Sequence, residues 1–210
     1  MSASPSIKEQ LAGFAGVAAA LMEMLRLAKG ALNRQQTQEL ETLTGLQETL
    51  VGEMSLLSGK LDKELCEMQG DGQVLCLKME SVLTHLQLVA RNVGEMVPLI
   101  RQQIAEGIPF SLKGNAQANQ VFDGLAEILD DLETIFRTDN EELKQQVLLE
   151  KGPKVSQQSI DFATDHEARM IEGLCLPHAA PVFLGLLDAV RNATRHAMEV
   201  ARLIQRRTPN

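Results

Sequence analysis

The side chains in this sequence most suited to chemistry are arginines at helical spacing, in the closing stretch DAVRNATRHAMEVARLIQRR. At about 100° per residue, Arg191, Arg195, Arg202 and Arg206 fall within about 60° of one another. Leu186, Val190, Ala193, Ala197, Val200, Ala201 and Ile204 fall on the opposite side, as an amphipathic helix requires. Guanidinium forks suit phosphate or an acidic partner surface. The same stripe also fits a solvated face near a helix C-terminus, where the dipole favours cations. Asp188 and Glu199 lie beside the stripe, within i,i+3 or i,i+4 reach of Arg191 and Arg195. A second helix, ending the first half of the chain, has an outward stripe of Glu80, Thr84, Arg91 and Glu95, with His85 at the border of its apolar face. His196 holds the same border position in the last helix.

Catalytic chemistry finds little footing. A di-iron bundle needs Glu-x-x-His pairs facing inward, and none of His85, His166, His178 and His196 has Glu three residues before it. The stretch CLPH offers two zinc ligands without a second pair nearby, so Cys175 reads as a loop cysteine packed under a turn. No Gly-rich phosphate loop, GxSxG or HExxH occurs. Cys66, Cys76 and Cys175 are widely spaced and odd in number, the usage of buried reduced thiols. The methionines read as adaptable core filling.

The elements that must position these residues are helices. The 210 residues include no Trp or Tyr and six Phe, and are rich in Leu, Ala, Gln, Glu and Met. These residues favour helix, and strand formers are scarce. Polar or glycine-containing breaks (NRQQTQ, QGDGQ, EGIPFSLKGN, RTDNEE, GLCLPHAAP) predict six helices. Their expected spans run from Ser6 to about Leu32, Thr37 to Met68 and Val74 to Glu106; then AQANQVFDGLAEILDDLETIF, a fifth capped at Thr138 or Asp139 and ending near Glu172, and a sixth from Pro181 to Arg207. Pro98 and KGPK are expected to kink or interrupt the third and fifth. A net charge of -8 argues against general nucleic-acid binding. The apolar LAGFAGVAAALMEML is shorter than the roughly 20 residues a membrane span needs. The expectation is a cytoplasmic protein, able to sit peripherally on the inner face of a membrane; the Gly/Ala-rich first helix is compatible with a homodimer.

The segments THLQLVAR (84–91) and RHAMEVAR (195–202) share His and Val-Ala-Arg at a fixed offset, and the helices preceding them match in kind. This predicts an all-α, six-helix bundle built from two three-helix repeats, 1–107 and 108–210, in one compact domain.

The stretch HEARMIEGLCLPHAAPVFLGLLDAVRNATRHAMEVARLI resembles the last helix pair of the PhoU-domain family, closest to the PhoU-like regions associated with sodium/phosphate cotransporters. The family pattern has the form R-x-x-E-G-x-C…F-L-x-L-L-x-x-L-E-R-I-G-D-H-x-x-N-I-A. Arg169, Glu172, Gly173, Cys175, Phe183, Leu184, Leu186, Leu187, His196 and Ala201 fall on it in order. MESVLTHLQLVARNV is similar to the same element, with Glu80 and His85 in place. The resemblance implies a non-catalytic regulator of phosphate transport, working by contact with a membrane phosphate transporter or a phosphate-sensing kinase. In some members acidic ExxxD motifs hold metal clusters. Here the family's Glu and Asp positions fall on Arg191 and Arg195, and the first-repeat Asp on Thr84. Cations need several anionic or neutral donors close together, so no metal or other cofactor is expected; Glu80, His85 and Glu95 are the residual metal candidates. The expected partner- or anion-binding residues are Arg191, Arg195, Arg202, Arg206 and Arg91. A helical scaffold or signalling adaptor unrelated to phosphate is the rival reading.

Overall fold

A computed structural model describes residues 11–67 and 69–205. Six helices follow one another: α1 (Ala15–Arg34), α2 (Gln38–Glu67), α3 (Asp71–Ala105), α4 (Leu112–Thr138), α5 and α6 (Ala180–Ile204). The fifth, α5, is made of Glu141–Gln146, a π-helical turn Val147–Lys151, and Gly152–Ile171. A 3-10 turn, Pro177–Ala179, leads into α6. No strand occurs among the described residues. Ser6 and Arg206 lie outside them, as does the side chain of Cys66.

Four helices make the centre and two flank it. The most extensive pairing is α3 with α6, and α1 packs on α4. Both pairs are antiparallel. In the first, His85 meets His196 and a Cβ on Gly185 would lie 2.8 Å from Leu99 Cδ1. In the second, Phe14, just before α1, packs on Phe136, while Asn33 and Asn119 exchange amide hydrogen bonds. Every apolar position predicted for the inner side of α6 is buried, from Leu186 to Ile204. The outer helix α2 lies against α1 and α3. It buries Leu40, Leu43, Leu50, Met54 and Leu61, spacings of three, four and seven that keep one seam facing its neighbours.

The helix ends explain the turns. After α3 and α5, Gly107 and Gly173 take positive φ. The next amides reach back to Gln103 O and Arg169 O, the Schellman arrangement that satisfies terminal carbonyls. Ser111 caps α4, its hydroxyl accepting from Gly114 N at 3.1 Å. The cap of α5 is Asn140, which accepts from Glu142 and Leu143, in place of the expected Thr138 or Asp139. Asp139 instead closes α4 in the left-handed region at φ 57, a conformation short polar residues tolerate. The third helix stays helical through Pro98.

The interruption at KGPK takes the form of a π turn. Inward residues of α5 are Lys144, Val147, Gly152, Val155 and Ser159. The interval from 147 to 152 is one residue too long for an α-helical face, and the wider turn absorbs it. Gly152 N bonds Val147 O, five residues back. A Cβ on Gly152 would meet that oxygen at 2.7 Å and collide with Met198 of α6.

Lys144 is wholly buried and ties α5 to both flanking termini. Its ammonium donates to Asp139 Oδ1 at 2.5 Å, Glu141 Oε2 at 3.1 Å and the Ile204 carbonyl at 3.0 Å. Three acceptors, one at the negative end of α6, offset the desolvation of the charge. Removing the cation leaves the Asp139 carboxylate, itself 8% exposed, without that partner. Lys144→Met is therefore expected to lower unfolding free energy by about 3 kcal/mol. Adding Asp139→Asn should restore part of the loss, as read by urea denaturation of the two singles and the double.

Candidate functional site

The α3–α6 seam brings together the two histidines that the sequence relates by its repeat offset. His85 Nδ1 and His196 Nδ1 are 3.1 Å apart, and the ring centroids 5.3 Å. When both are neutral, one ring supplies Nδ1–H and the other its lone pair; two imidazolium ions would point two N–H groups at each other. Both rings are half-buried. Burial holds His196 below the usual histidine range, with the Arg195 guanidinium and His85 adding to the effect and Glu199 opposing it.

On the outer face of α6 the arginines are not equivalent. Arg191 pairs with Asp188 at 2.7 Å and Arg202 with Glu199 at 2.8 Å, both one turn apart. Glu199 thus serves Arg202, and Arg195 is exposed with no ion pair among the described residues. Arg191 and Arg195 line an open groove of about 500 Å³ with Pro153, Ser156, Asn192 and Met198. The groove follows from the π turn, which sets Gly152 and Pro153 against Met198. Arg91, on α3, pairs with Glu95 at 3.1 Å and is separate from this groove. Arg206 lies outside the described residues.

The residual metal candidates are not brought together. The Glu80 carboxylate accepts from Ser58 on α2, and burial raises its pKa, with Asp62 adding to the rise and the Ser58 hydrogen bond opposing it. Glu95 is held by Arg91, and His85 turns to His196. Thr84 donates its hydroxyl to its own helix, to Glu80 O. Among the described residues no three His, Cys, Asp or Glu side chains converge as a ligand set. No helix of the described residues is long and apolar enough to cross a membrane.

A second polar cluster, not foreseen from the sequence, joins α5 to the start of α4. Arg169, 8% exposed, donates to Ser111 Oγ and Gln117 Oε1, both at 2.8 Å, and pairs with Asp165 at 3.0 Å. Asp165 also accepts from Lys113 and Gln117, and these hydrogen bonds hold its carboxyl below the usual range. Beside it His166 stacks on Phe183, centroids 4.6 Å apart. Its pKa is lowered by burial and by Arg169. The sequence signal lay in a break of pattern: α5 turns polar residues inward where an apolar stripe is due.

No family model matches the chain, and no curated protein matches it by sequence. Solved structures do. The crystal structure of PhoU from Pseudomonas aeruginosa superimposes with a TM-score of 0.83 at 12% identity, over 94% of this chain and 93% of that one. The phosphate transport system regulatory protein PhoU from Streptococcus pneumoniae gives 0.81 at 13%, over 94% and 92%. The fold is that of the PhoU proteins, as the resemblance in the closing helices implied.

The depressed histidines have a thermodynamic consequence. Below the ordinary histidine value of 6.5, the unfolded chain takes up protons that folded His166 and His196 refuse. Their contribution is therefore fully present above that value and is lost as pH falls below it. The urea midpoint should drop between neutral pH and about pH 5. The drop should be smaller in His196→Gln, which removes one titrating ring; an equal drop would show that His196 takes no part.

Proposed function

We propose that the protein is a non-catalytic regulator of phosphate transport or phosphate signalling that acts by protein contact. The observation that carries this reading is the match of nearly the whole chain to the PhoU fold, including a neighbour described as a phosphate transport system regulatory protein. The partner would be a membrane phosphate transporter, met on its cytoplasmic side, or a phosphate-sensing kinase. The halves 1–107 and 108–210 are read as duplicated units, a reading supported by the way α3 pairs with α6 and α1 with α4.

The contact surface proposed is the α5–α6 groove. Arg195 has no carboxylate paired with it among the described residues, and Arg191 stands one turn away at the same opening. An acidic partner loop or a bound anion would complete that charge. Arg202 and Arg91 have carboxylates of their own and are assigned a lesser part. Metal is given no role here, because Arg191, Arg195 and Thr84 occupy positions where the resemblance expects carboxylates.

Deleting the gene should change phosphate uptake and the expression of phosphate-starvation genes. Unchanged uptake and expression would favour a scaffold unconnected with phosphate. The Arg195→Glu variant should reproduce the deletion while accumulating as folded protein. Its side chain is exposed and has no ion pair among the described residues, so the stability change should stay within about 0.5 kcal/mol, whereas partner affinity should fall roughly tenfold or more.

A further inference from the structure

A cleft of about 440 Å³ lies between the end of α1, the end of α3 and the first turns of α4, beside the 107–110 connection. None of its lining residues is charged. Leu32, Ile108 and Phe110 supply apolar surface, and the carboxamides of Gln35, Gln103 and Asn115 supply polar surface. Asn33 also borders the cleft, but its amide is already satisfied by the exchange with Asn119.

The hydrogen bonds decide which amide atoms are left over. Gln35 donates from Nε2 to the Leu32 carbonyl at 2.7 Å, which fixes the orientation of its amide, because a carbonyl only accepts. The same nitrogen donates to Gln103 Oε1 at 3.2 Å. Gln103 Nε2 is therefore the atom left over, and it donates to no group among the described residues. Gln103 is 2% exposed, yet this nitrogen is not sealed in: the sealed side-chain atoms without a partner belong to Glu39, His166 and Thr194. Its accessible surface opens on the cleft that Gln103 lines. A nearly buried donor left unmet is costly. Across the connection, Asn115 Nδ2 reaches the Phe110 carbonyl at 3.5 Å, and Asn115 Oδ1 receives no donor among the described residues. The cleft thus offers one donor and one acceptor, both uncharged, beside an apolar surface.

We propose that this cleft binds a small uncharged amide with a compact apolar body, such as an aromatic carboxamide. The ligand's carbonyl accepts from Gln103 Nε2, its N–H donates to Asn115 Oδ1, and its body lies on Leu32, Ile108 and Phe110. Size fits, since small-molecule sites run from about 300 Å³ upward. The absence of charge sets the class. A carboxylate or phosphate would give up water here and meet no cation, and an ammonium would meet no carboxylate. An amide exchanges its hydrogen bonds with water for others of the same kind. The site is separate from the α5–α6 groove, and the proposal is independent of the function assigned to that groove.

The probe is benzamide, titrated into the full chain and followed by calorimetry and by the side-chain amide resonances. One saturable site is expected, with shifts at Gln103 and Asn115. Benzoate, which has the same shape and a charge, should bind roughly tenfold more weakly or worse, and inorganic phosphate should not displace benzamide. Gln103→Met keeps the length of the side chain and removes the donor; Asn115→Leu removes the acceptor at a half-buried position. Each should weaken benzamide roughly tenfold, the loss of one hydrogen bond with its partner left unmet. If Gln103→Met does not fold, Asn115→Leu carries the test alone. Absence of saturable binding to the wild-type chain, benzoate bound as tightly as benzamide, or benzamide affinity unchanged in Asn115→Leu would each overturn the assignment.

Discussion

The α3–α6 seam is the constraint on which the rest of the molecule depends. Two long helices run antiparallel in the most extensive pairing of the fold, from His85 against His196 to Leu99 against Gly185. Both helices bury small side chains, Ala90 on α3 and Ala193, Ala197 and Ala201 on α6, and small residues let helices approach closely. Once the seam is set, α1 and α4 close the central four-helix group, and α2 and α5 cover the flanks. A change in the seam's spacing would therefore be felt in every helix pair, because close-packed interiors transmit displacement.

The two flanking helices have different characters. The covering by α2 uses an apolar seam. That by α5 includes charges: Lys144 bound to Asp139 near one end, Arg169 bound to Asp165, Ser111 and Gln117 toward the other. Buried ion pairs add little net stability, yet removing one partner is expensive. They fix where α5 lies, and so fix the position of the outer groove beside Arg195.

Much of this was legible in the residues. The six helices, their breaks and the inner face of α6 follow from periodicity and from glycine and polar clusters, because burial of a stripe is a local pattern. The offset between His85 and His196 announced two related positions; that they touch depends on how the halves pack, which spacing alone does not encode. The arginine stripe was visible, but its division into paired Arg191 and Arg202 and unpaired Arg195 depends on rotamers. No local pattern marks Lys144, Arg169 and His166 as buried. Their burial is decided by partners distant in sequence, such as Ser111 and Gln117 for Arg169, and the carbonyl of Ile204 for Lys144.

The π turn in α5 also bears on how this chain compares with others. Between Val147 and Gly152 the helix holds one residue more than a regular turn would, with the excess absorbed in a single wide loop of backbone. A related helix lacking that residue could be matched to this one only across a one-residue gap, in the middle of an unbroken helix where gaps are heavily disfavoured. Matching without the gap puts every position on one side of the turn out of phase, so buried residues are compared with exposed ones. The backbones on either side of the turn would still superimpose, because each remains a regular helix. A kinship of this kind is preserved in shape while its signal is scrambled in letters.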